Sequence, residues 1–242
     1  MIAIIASRPE DLLYIKARLT FLSGEHTLKE GITTTHGFFG SEEVVLLATG
    51  ESNYLSAMYT DLIINRYDPD VIYGVGDAFA LSPLVKEGDI IIGSNCYLHG
   101  VNHHANGEPY GVIPGLPEAF PCSASLSSRA LGLAGSSGIR AFSGAILSGE
   151  KVIFDKDEFD EILTRRYAGK DIYCYDTSTS GMALACHLHQ KSFLPLRVIS
   201  YVPGVEESRL RYRRIALEAL PGIGRIIFGL CAMHQGKKGG AK

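Results

Sequence analysis

The sequence is short of several residue types and patterns, and each shortage excludes a class of protein. Its 242 residues contain no tryptophan and only five cysteines, which are scattered and have no CxxC spacing. This pattern argues against a disulfide framework and a zinc site, and it predicts reduced thiols in a cytoplasmic protein. The net charge is −3 with both signs mixed along the chain, so no basic surface indicates a nucleic-acid partner.

Long apolar runs are also missing. No uninterrupted run reaches the roughly 18 residues that a membrane span requires, so we expect no membrane partner. The opening stretch MIAIIASRPED is too short and too soon charged for a secretion signal, and it is typical of a first strand. A hydrophobic content of 46% suits one α/β domain with a substantial core. We expect that domain over 1–235, followed by a flexible, Gly-rich tail over 236–242.

The glycine-containing stretch GVGDAF at 74–79 fits none of the common nucleotide-binding motifs. It places Phe79 where a GxGxxG motif has its third glycine, and it lacks the Gly-Lys-Ser/Thr of a P-loop. No GxSxG nucleophile elbow occurs anywhere in the chain. A tight turn after a strand is the simpler interpretation of these glycines.

Histidines cluster in HGVNHH, where His99 and His103 are four residues apart and His104 is adjacent. Four-residue spacing would place two metal ligands on one helix face, but the surrounding glycines predict a loop. A metal-dependent hydrolase using these histidines is therefore the weakest of three functional hypotheses.

Apolar runs of strand length alternate with segments of helix length, which is typical of an α/β fold. The predicted strands cover 2–6, a hairpin pair at 31–40 and 43–49, 70–76, 88–98, 141–149 and 196–202. The predicted helices cover 9–19, 53–67 with Leu55, Met58, Leu62 and Ile63 on one face, 125–135, 156–167, 179–190, and 206–235 with an interruption at 220–222. A loop is expected over about 99–121.

Five segments together carry a resemblance to a known family. They span nearly the whole chain in order and spacing, and the second is the most specific. The segments are IAIIAS at the start, PDVIYGVGDAFALSPLVKEGDIII at 69–92, YLHGVNHHANGEPYGVIPG at 97–115, GAILSGEKVI at 144–153 and LRVIS at 196–200. With these segments the chain resembles the nucleoside phosphorylase superfamily, and within it the methylthioadenosine/S-adenosylhomocysteine nucleosidase branch.

The resemblance implies a three-layer α/β/α sandwich around a mixed, partly barrel-like central sheet. It also implies cleavage of the N-glycosidic bond of a purine nucleoside through an oxocarbenium-like transition state. An aspartic acid after the last core strand would protonate the leaving purine, and a glutamate would hold the ribose hydroxyls. No metal or other cofactor is implied. A homodimer is expected, built partly from the helix at 53–67 and the loop at 99–121.

The general acid of the family is replaced in this chain. The family's Ile-Ser-Asp reads Ile199-Ser200-Tyr201, so Tyr201 stands in the acid's place and Ser200 beside it as a candidate substrate contact. A phenol has an ordinary pKa of about 10, which makes proton donation near pH 7 unfavourable. A placed acid contributes roughly 10²–10⁴ in rate.

The ribose-binding motif is altered as well. The family's Val-Glu-Met-Glu-Ala reads as the run from Tyr175 to Thr179, so Ser178 replaces the glutamate while Asp176 keeps an acid. The resemblance places Tyr175 and Thr177 at the substrate too. In the family's Thr-Gly-Ser-Ala-Gly-Gly stretch, here 75–80, an acid appears at Asp77 and Phe79 replaces a small glycine. We expect Phe79 to fill part of the nucleoside's space.

Other expected site positions follow from the same alignment. Asp11 corresponds to a shortened form of the acid that orients the attacking water. TGES at 49–52 adds Glu51, whose charge would repel phosphate and so disfavours phosphorolysis. The segment at 144–153 ends in Val152 and Ile153, which are expected at the substrate.

The family's fold segments are kept while several expected site residues are replaced, and this combination favours a changed function. The first hypothesis is a family protein that binds a purine nucleoside or related small ligand, with N-glycosidic hydrolysis weak or absent. The second is an active, divergent purine nucleosidase that uses reassigned carboxylates. The candidate carboxylates are Asp11, Glu51, Asp77, Glu150 and Asp176.

Overall fold

The computed structural model describes residues 1–21, 25–27 and 32–239. The strands are β1 Ile2–Ala6, β2 Glu25–Thr27, β3 Thr33–Phe39, β4 Glu42–Ala48, β5 Val71–Ala80, β6 Ile90–Leu98, β7 Phe120–Pro121, β8 Ala141–Ser148, β9 Ile172–Asp176 and β10 Ser192–Tyr201. The α-helices are α1 Leu13–Lys16, α2 Asn53–Tyr67, α3 Ala124–Ser136, α4 Lys156–Arg166, α5 Thr179–Leu188 and α6 Glu206–Gly239. Short 3₁₀ turns lie at Pro9–Leu12 and His104–Asn106.

The strands form one mixed sheet, of which part closes into a barrel. Its order is β10-β6-β8-β9-β5-β1-β4-β3-β2, and β10 also pairs with β5. Strands β5, β10, β6, β8 and β9 therefore form a closed ring, while β1 to β4 extend the sheet beyond it. The sheet contains parallel strand pairs, such as β1 with β5, and antiparallel pairs, such as β5 with β9.

Helices cover both faces of the sheet, and β1 shows why. Its five residues are all apolar and buried, as expected for a strand with a core on each side. Side chains alternate between faces along a strand. Ile2 and Ile4 pack in the cluster that contains Ile226 of α6, whereas Ile5 packs in the cluster that contains Ile63 of α2. The expected three-layer α/β/α architecture with a partly barrel-like sheet is confirmed.

Helices α2 and α5 cross very closely beside the ends of the central strands. A Cβ atom at Gly181 would lie only 2.1 Å from the backbone oxygen of Asn53, so the crossing requires glycine. The Gly181 N–H donates to Asn53 Oδ1 at 2.9 Å. This contact fixes the start of α5, which follows the segment expected to hold the ribose.

Several predicted elements need correction. The helix expected over 9–19 is only a 3₁₀ turn followed by α1, and the strand expected to end at Gly76 continues to Ala80. Strand β9 was not predicted. The predicted apolar face of α2 is wrong in part, because Met58 is exposed while Ile63 is buried. The buried residues of α2 are three polar ones, Asn53, Ser56 and Thr60, together with Ile63 and Ile64.

The last helix continues through Pro221, where an interruption was expected. Proline removes one helical hydrogen bond, but the residues after it include Ile223, Ile226 and Ile227, each fully buried. Residues 236–239 of the predicted tail lie in the last turn of this helix, and 240–242 are outside the described residues. The flexibility of the tail therefore stays a prediction.

One segment of the described chain, Glu206–His234, is long and apolar enough by composition to cross a membrane. Just over half of its most apolar window, 56%, is buried inside the protein. The core helix of a folded protein can have the same length and composition. Helix α6 packs against β1 in this structure and is therefore such a core helix.

The five cysteines are free thiols, as predicted. Cys96 Sγ and Cys122 Sγ lie 3.6 Å apart without a bond between them. Burial raises the pKa of Cys96, Cys174 and Cys186, so these thiols stay protonated at neutral pH.

Candidate functional site

Segments that follow β1, β4, β8 and β9 converge with β5 and α6 on one cavity of about 90 Å³. Ligands in α/β folds commonly bind at the carboxyl ends of the strands. Pockets for small molecules usually enclose about 300–1,000 Å³, so this cavity is small. It is lined by Ser7, Glu51, Asp77, Ala78, Phe79, Val152, Tyr175, Asp176, Thr177, Ser178, Tyr212 and Arg213.

Tyr201 lies in a cluster of four aromatic rings next to this cavity. The cluster, called the ring cluster below, consists of Phe79, Phe154, Tyr201 and Tyr212, with neighbouring ring centroids 4.8 to 5.8 Å apart. The Tyr201 side chain is buried, and its hydroxyl donates a hydrogen bond to the Phe154 carbonyl oxygen at 2.8 Å. The phenol proton is therefore directed at the backbone rather than into the cavity.

The register of the strands explains how the ring cluster forms. Tyr201 of β10 is paired with Phe79 of β5, and Phe79 is paired with Tyr175 of β9. A shift in register between Ile199 and Tyr201 brings the Tyr201 ring beside the Phe79 ring. Phe79 is 8% exposed and lines the cavity.

Asp176 is held in a buried network at the end of β9. It accepts hydrogen bonds from Arg197 Nε at 2.6 Å, from Ser148 Oγ at 2.5 Å and from the Thr179 backbone N–H at 3.1 Å. Burial alone would raise the pKa of Asp176, but the Arg197 guanidinium and these hydrogen bonds hold it below its ordinary value. The carboxylate is thus ionised and has no proton to donate.

Arg8 links the two other acids expected at the site. Its Nη2 donates to Asp11 Oδ1 at 2.7 Å and to Asp77 Oδ1 at 2.8 Å, and its Nε donates to Asp11 Oδ2 at 3.2 Å. Ser200 Oγ donates to the second Asp77 oxygen at 2.5 Å. Burial raises the pKa of Asp11, and the neighbouring Arg8 guanidinium opposes that effect.

The residues expected at the ribose line the cavity. Ser178 is buried, and its hydroxyl accepts a hydrogen bond from Ser7 Oγ at 2.6 Å. Thr177 is half-buried beside it. The Tyr175 hydroxyl donates to the Lys151 carbonyl oxygen at 2.7 Å, and burial raises the pKa of this phenol. Serine cannot span two vicinal hydroxyls as a glutamate does.

The segment after β8 contributes one exposed and one buried side chain. Val152 is 53% exposed and lines the cavity, whereas Ile153 is buried in the core with Phe159. Glu150, one of the candidate carboxylates, accepts hydrogen bonds from the backbone N–H groups of Asn53 at 2.6 Å and Tyr54 at 3.3 Å. Its charge is therefore used to cap the start of α2.

At the mouth of the cavity, Glu51 pairs with Arg213 of α6. Arg213 Nη1 lies 3.3 Å from Glu51 Oε1, and both side chains are about half exposed. Arg213 Nε also donates to the Tyr212 hydroxyl at 3.0 Å. Glu51 and Arg213 are therefore charged side chains that line the cavity and also contact solvent.

The three histidines do not form a site. His99 packs against the rings of Tyr110, Tyr167 and Tyr175, whereas His103 and His104 are exposed. In the described part of the chain, no three His, Cys, Asp or Glu side chains are grouped so that they could hold a metal ion.

Among the residues expected from the sequence, eight line the cavity and five do not. The five that do not are Asp11, Glu150, Ile153, Ser200 and Tyr201. Arg8, Tyr212 and Arg213 were not singled out. The available signal was the position of Arg8 three residues before Asp11 in the first strand–helix turn, because a buried carboxylate commonly needs a cation.

Comparison with known proteins gives a family match over most of the chain. The model of a family described as the phosphorylase superfamily matches residues 1–216. A 5'-methylthioadenosine/S-adenosylhomocysteine nucleosidase of Bacillus subtilis (strain 168) is 27% identical over 206 residues, which cover 85% of this chain and 87% of the relative.

Solved structures agree with this fold. A 5'-methylthioadenosine/S-adenosylhomocysteine nucleosidase of Neisseria meningitidis, in complex with methylthio-immucillin-A, superimposes with a TM-score of 0.87 at 20% identity over 95% of this chain and 97% of that one. A putative nucleosidase of the same kind from Borrelia burgdorferi B31, bound to adenine, superimposes with a TM-score of 0.88 at 20% identity. The match covers 96% of this chain and 100% of that one. With the family match over residues 1–216 and this shared architecture, the chain belongs to the phosphorylase superfamily.

Proposed function

We propose that this protein binds a purine nucleoside or a related small ligand in the cavity, and that its N-glycosidic hydrolysis is weak or absent. The observation that carries the proposal is the hydrogen bond from the Tyr201 hydroxyl to the Phe154 carbonyl oxygen. The group in the general acid's place is a phenol, and its hydroxyl is directed at the backbone rather than into the cavity. We propose that this binding needs no metal or other cofactor. We also propose that the protein is cytoplasmic.

The proton requirement of the leaving base supports weak or absent hydrolysis. A leaving purine must receive a proton, and donation from a phenol with an ordinary pKa of about 10 is unfavourable near neutral pH. Loss of the acid alone corresponds to roughly 10²–10⁴ in rate, or about 3–5 kcal/mol of barrier. Replacement of the ribose-binding glutamate by Ser178 removes further transition-state stabilisation.

The state of the remaining carboxylates also argues against a replacement acid. Asp176 is ionised beside Arg197, and Asp77 is bonded to Arg8 and Ser200. The ionised Asp176 can stabilise positive charge on a sugar ring, but it has no proton to supply.

A nucleoside-type ligand is supported by the similar proteins. One similar structure holds methylthio-immucillin-A and another holds adenine. The cavity of this chain is lined by hydroxyl and carboxylate groups of Ser7, Asp77, Thr177 and Ser178, and by the aromatic side chains of Phe79, Tyr175 and Tyr212. This combination suits a sugar joined to a flat base.

One observation favours the second hypothesis, an active divergent nucleosidase. Burial raises the pKa of Asp11, so among the acids of the site this carboxyl is the best placed to carry a proton. Both of its oxygens accept hydrogen bonds from Arg8, however, and the side chain is buried. In this reading Asp11→Asn would abolish hydrolysis.

The deciding experiment incubates the protein with methylthioadenosine, S-adenosylhomocysteine and adenosine and measures free base. The Bacillus subtilis relative serves as the positive control. We expect hydrolysis at least about 10² slower than in that relative, with binding detectable by calorimetry. A turnover of about 1–10 s⁻¹, ordinary for enzymes, would contradict the proposal. Asp11→Asn, Asp77→Asn and Asp176→Asn would then identify the acid.

A further inference from the structure

An exposed ion pair, Glu51 with Arg213, lies at the mouth of the cavity. Glu51 directly precedes Ser52, the N-cap of α2, and Arg213 projects from α6. Both side chains line the cavity, at 46% and 49% exposure. The two nitrogen–oxygen distances are 3.3 and 3.5 Å, which are long for a charge-assisted contact.

The other arginines near the cavity form buried ion pairs with carboxylates of the protein itself. Arg8 is buried between Asp11 and Asp77, and Arg197 is buried against Asp176. Breaking either arrangement would leave an unpaired buried charge, which is strongly unfavourable. Glu51 and Arg213 are instead solvent-facing, and exposed pairs contribute little to stability. Among the cavity-lining residues, this is the pair that a ligand can open readily.

Arg213 is also oriented for ligand binding. Its Nε donates to the Tyr212 hydroxyl at 3.0 Å, and its guanidinium lies 5.2 Å from the centre of the Tyr212 ring. A guanidinium held in this way presents its Nη atoms toward Glu51 and the cavity mouth. Such a fork matches the two oxygens of a carboxylate. The adjacent Glu51 carboxylate matches an ammonium group.

We propose that Glu51 and Arg213 form a subsite for a zwitterionic α-amino acid group carried by the ligand. The inference rests on the proposed function, since it requires a nucleoside-type ligand in the cavity. The ligand's carboxylate replaces Glu51 on Arg213, and its ammonium group replaces Arg213 on Glu51. The protein therefore prefers a nucleoside that ends in an amino acid over one that ends in a neutral thioether.

The test compares S-adenosylhomocysteine, which carries the amino acid group, with methylthioadenosine, which does not. Dissociation constants are measured by calorimetry for the wild type and for Phe79→Gly, so that a restricted cavity affects both ligands alike. We expect S-adenosylhomocysteine to bind at least about tenfold more tightly at low salt, since two charge-assisted contacts are gained. The preference should decrease at high salt because exposed charges are screened.

Two variants and a matched control assign the preference to the pair. Glu51→Gln and Arg213→Gln should each bring the two dissociation constants within about twofold. The control is Arg211→Gln, on the same helix, where Arg211 pairs with Glu87 away from the cavity at 2.8 Å. It should leave the preference at its wild-type value.

The outcomes separate the inference from the proposed function. Equal affinity for the two nucleosides in the wild type, or a preference that survives both Gln substitutions, overturns the subsite while leaving nucleoside binding in place. If neither nucleoside binds to the wild type or to Phe79→Gly, the proposed function is overturned, and the subsite with it.

Discussion

At the scale of single residues, the Phe79 ring lies where it restricts the cavity. It packs against three other rings and lines the same cavity as Ser178. We expect Phe79→Gly to bind adenosine and methylthioadenosine more tightly than the wild type in calorimetry, because the ring no longer has to move. Loss of the ring should lower the free energy of unfolding by about 3–5 kcal/mol.

A second phenylalanine in a strand provides the control for this change. Phe142 of β8 packs on Tyr173 and does not line the cavity. Phe142→Gly should lower stability without changing affinity. If the wild type already binds a nucleoside at micromolar concentration and Phe79→Gly binds no more tightly, Phe79 does not restrict the cavity.

His99 makes stability depend on pH. Burial, aided by the nearby charge of Arg166 and by Lys151 and opposed by Glu158, lowers the pKa of His99 to about 4. Its Nδ1 atom is buried without a hydrogen-bond partner among the described residues. In the unfolded chain the pKa returns to about 6.5, so between pH 6.5 and pH 4 the unfolded state binds the additional proton. Stability is therefore fully present above pH 6.5 and decreases as the pH falls through this window.

Urea denaturation at pH 7 and pH 5 measures this effect. His99→Gln should lose less stability between the two pH values than the wild type does. The matched control is His104→Gln, in the same loop and exposed. An identical loss in the wild type and His99→Gln would show that other groups cause the acid sensitivity.

The sequence motifs predicted which residues come together at the cavity better than they predicted the contacts of those residues. The motif segments place strand ends, and this is enough to bring together Asp77, Phe79, Asp176 and Ser178. The contact of the Tyr201 hydroxyl with Phe154 joins residues 47 positions apart and depends on the register of β10 and on the path after β8. No local pattern encodes such a contact.

At the scale of elements, the crossing of α2 and α5 depends on a single glycine. Because a Cβ at Gly181 would lie 2.1 Å from the Asn53 backbone oxygen, Gly181→Ala must push the two helices apart. We expect a decrease of about 1–3 kcal/mol in the free energy of unfolding, as for other overpacked sites, measured by urea denaturation.

Gly132 in α3 is the control for this substitution, because a Cβ there would have no neighbour within 4 Å. Gly132→Ala should stabilise the protein by up to about 1 kcal/mol, since alanine is the better helix former. A Gly181→Ala variant as stable as Gly132→Ala would contradict the close crossing.

The elements themselves were largely predictable, since apolar periodicity reflects which faces are buried. The errors have physical causes. Helix α6 continues through Pro221 because burial of its apolar face outweighs one lost hydrogen bond. Helix α2 buries Ser56 and Thr60, which periodicity of apolar residues cannot reveal, and leaves Met58 exposed.

At the scale of the whole molecule, that exposed side of α2 is a candidate dimer surface. Tyr54 is 77% exposed and Met58 53%, beside Leu55 at 39%. Together with the loop at 99–121, which resembles a family segment that reaches toward a neighbouring subunit, this surface predicts a homodimer. Sedimentation at micromolar concentration should give twice the 26.2 kDa mass of the chain.

Substitutions can locate the dimer surface. Met58→Arg should shift the protein toward the monomer, because a buried interface would then have to desolvate a charge. Leu84→Arg changes a leucine that is 59% exposed outside α2 and should leave the mass unchanged. A wild type that sediments only as a 26.2 kDa species contradicts the dimer.

The ring cluster also couples two positions of the sequence. Replacement of Tyr201 by aspartate would leave a hole where the ring packs on Phe79 and would remove the hydrogen bond to Phe154. Replacement of Phe79 by glycine would remove the ring that supports Tyr201. Each single replacement is therefore expected to lower stability. Under the proposed function, a protein of this fold that gains the family's acid at position 201 needs compensating changes in the ring cluster as well.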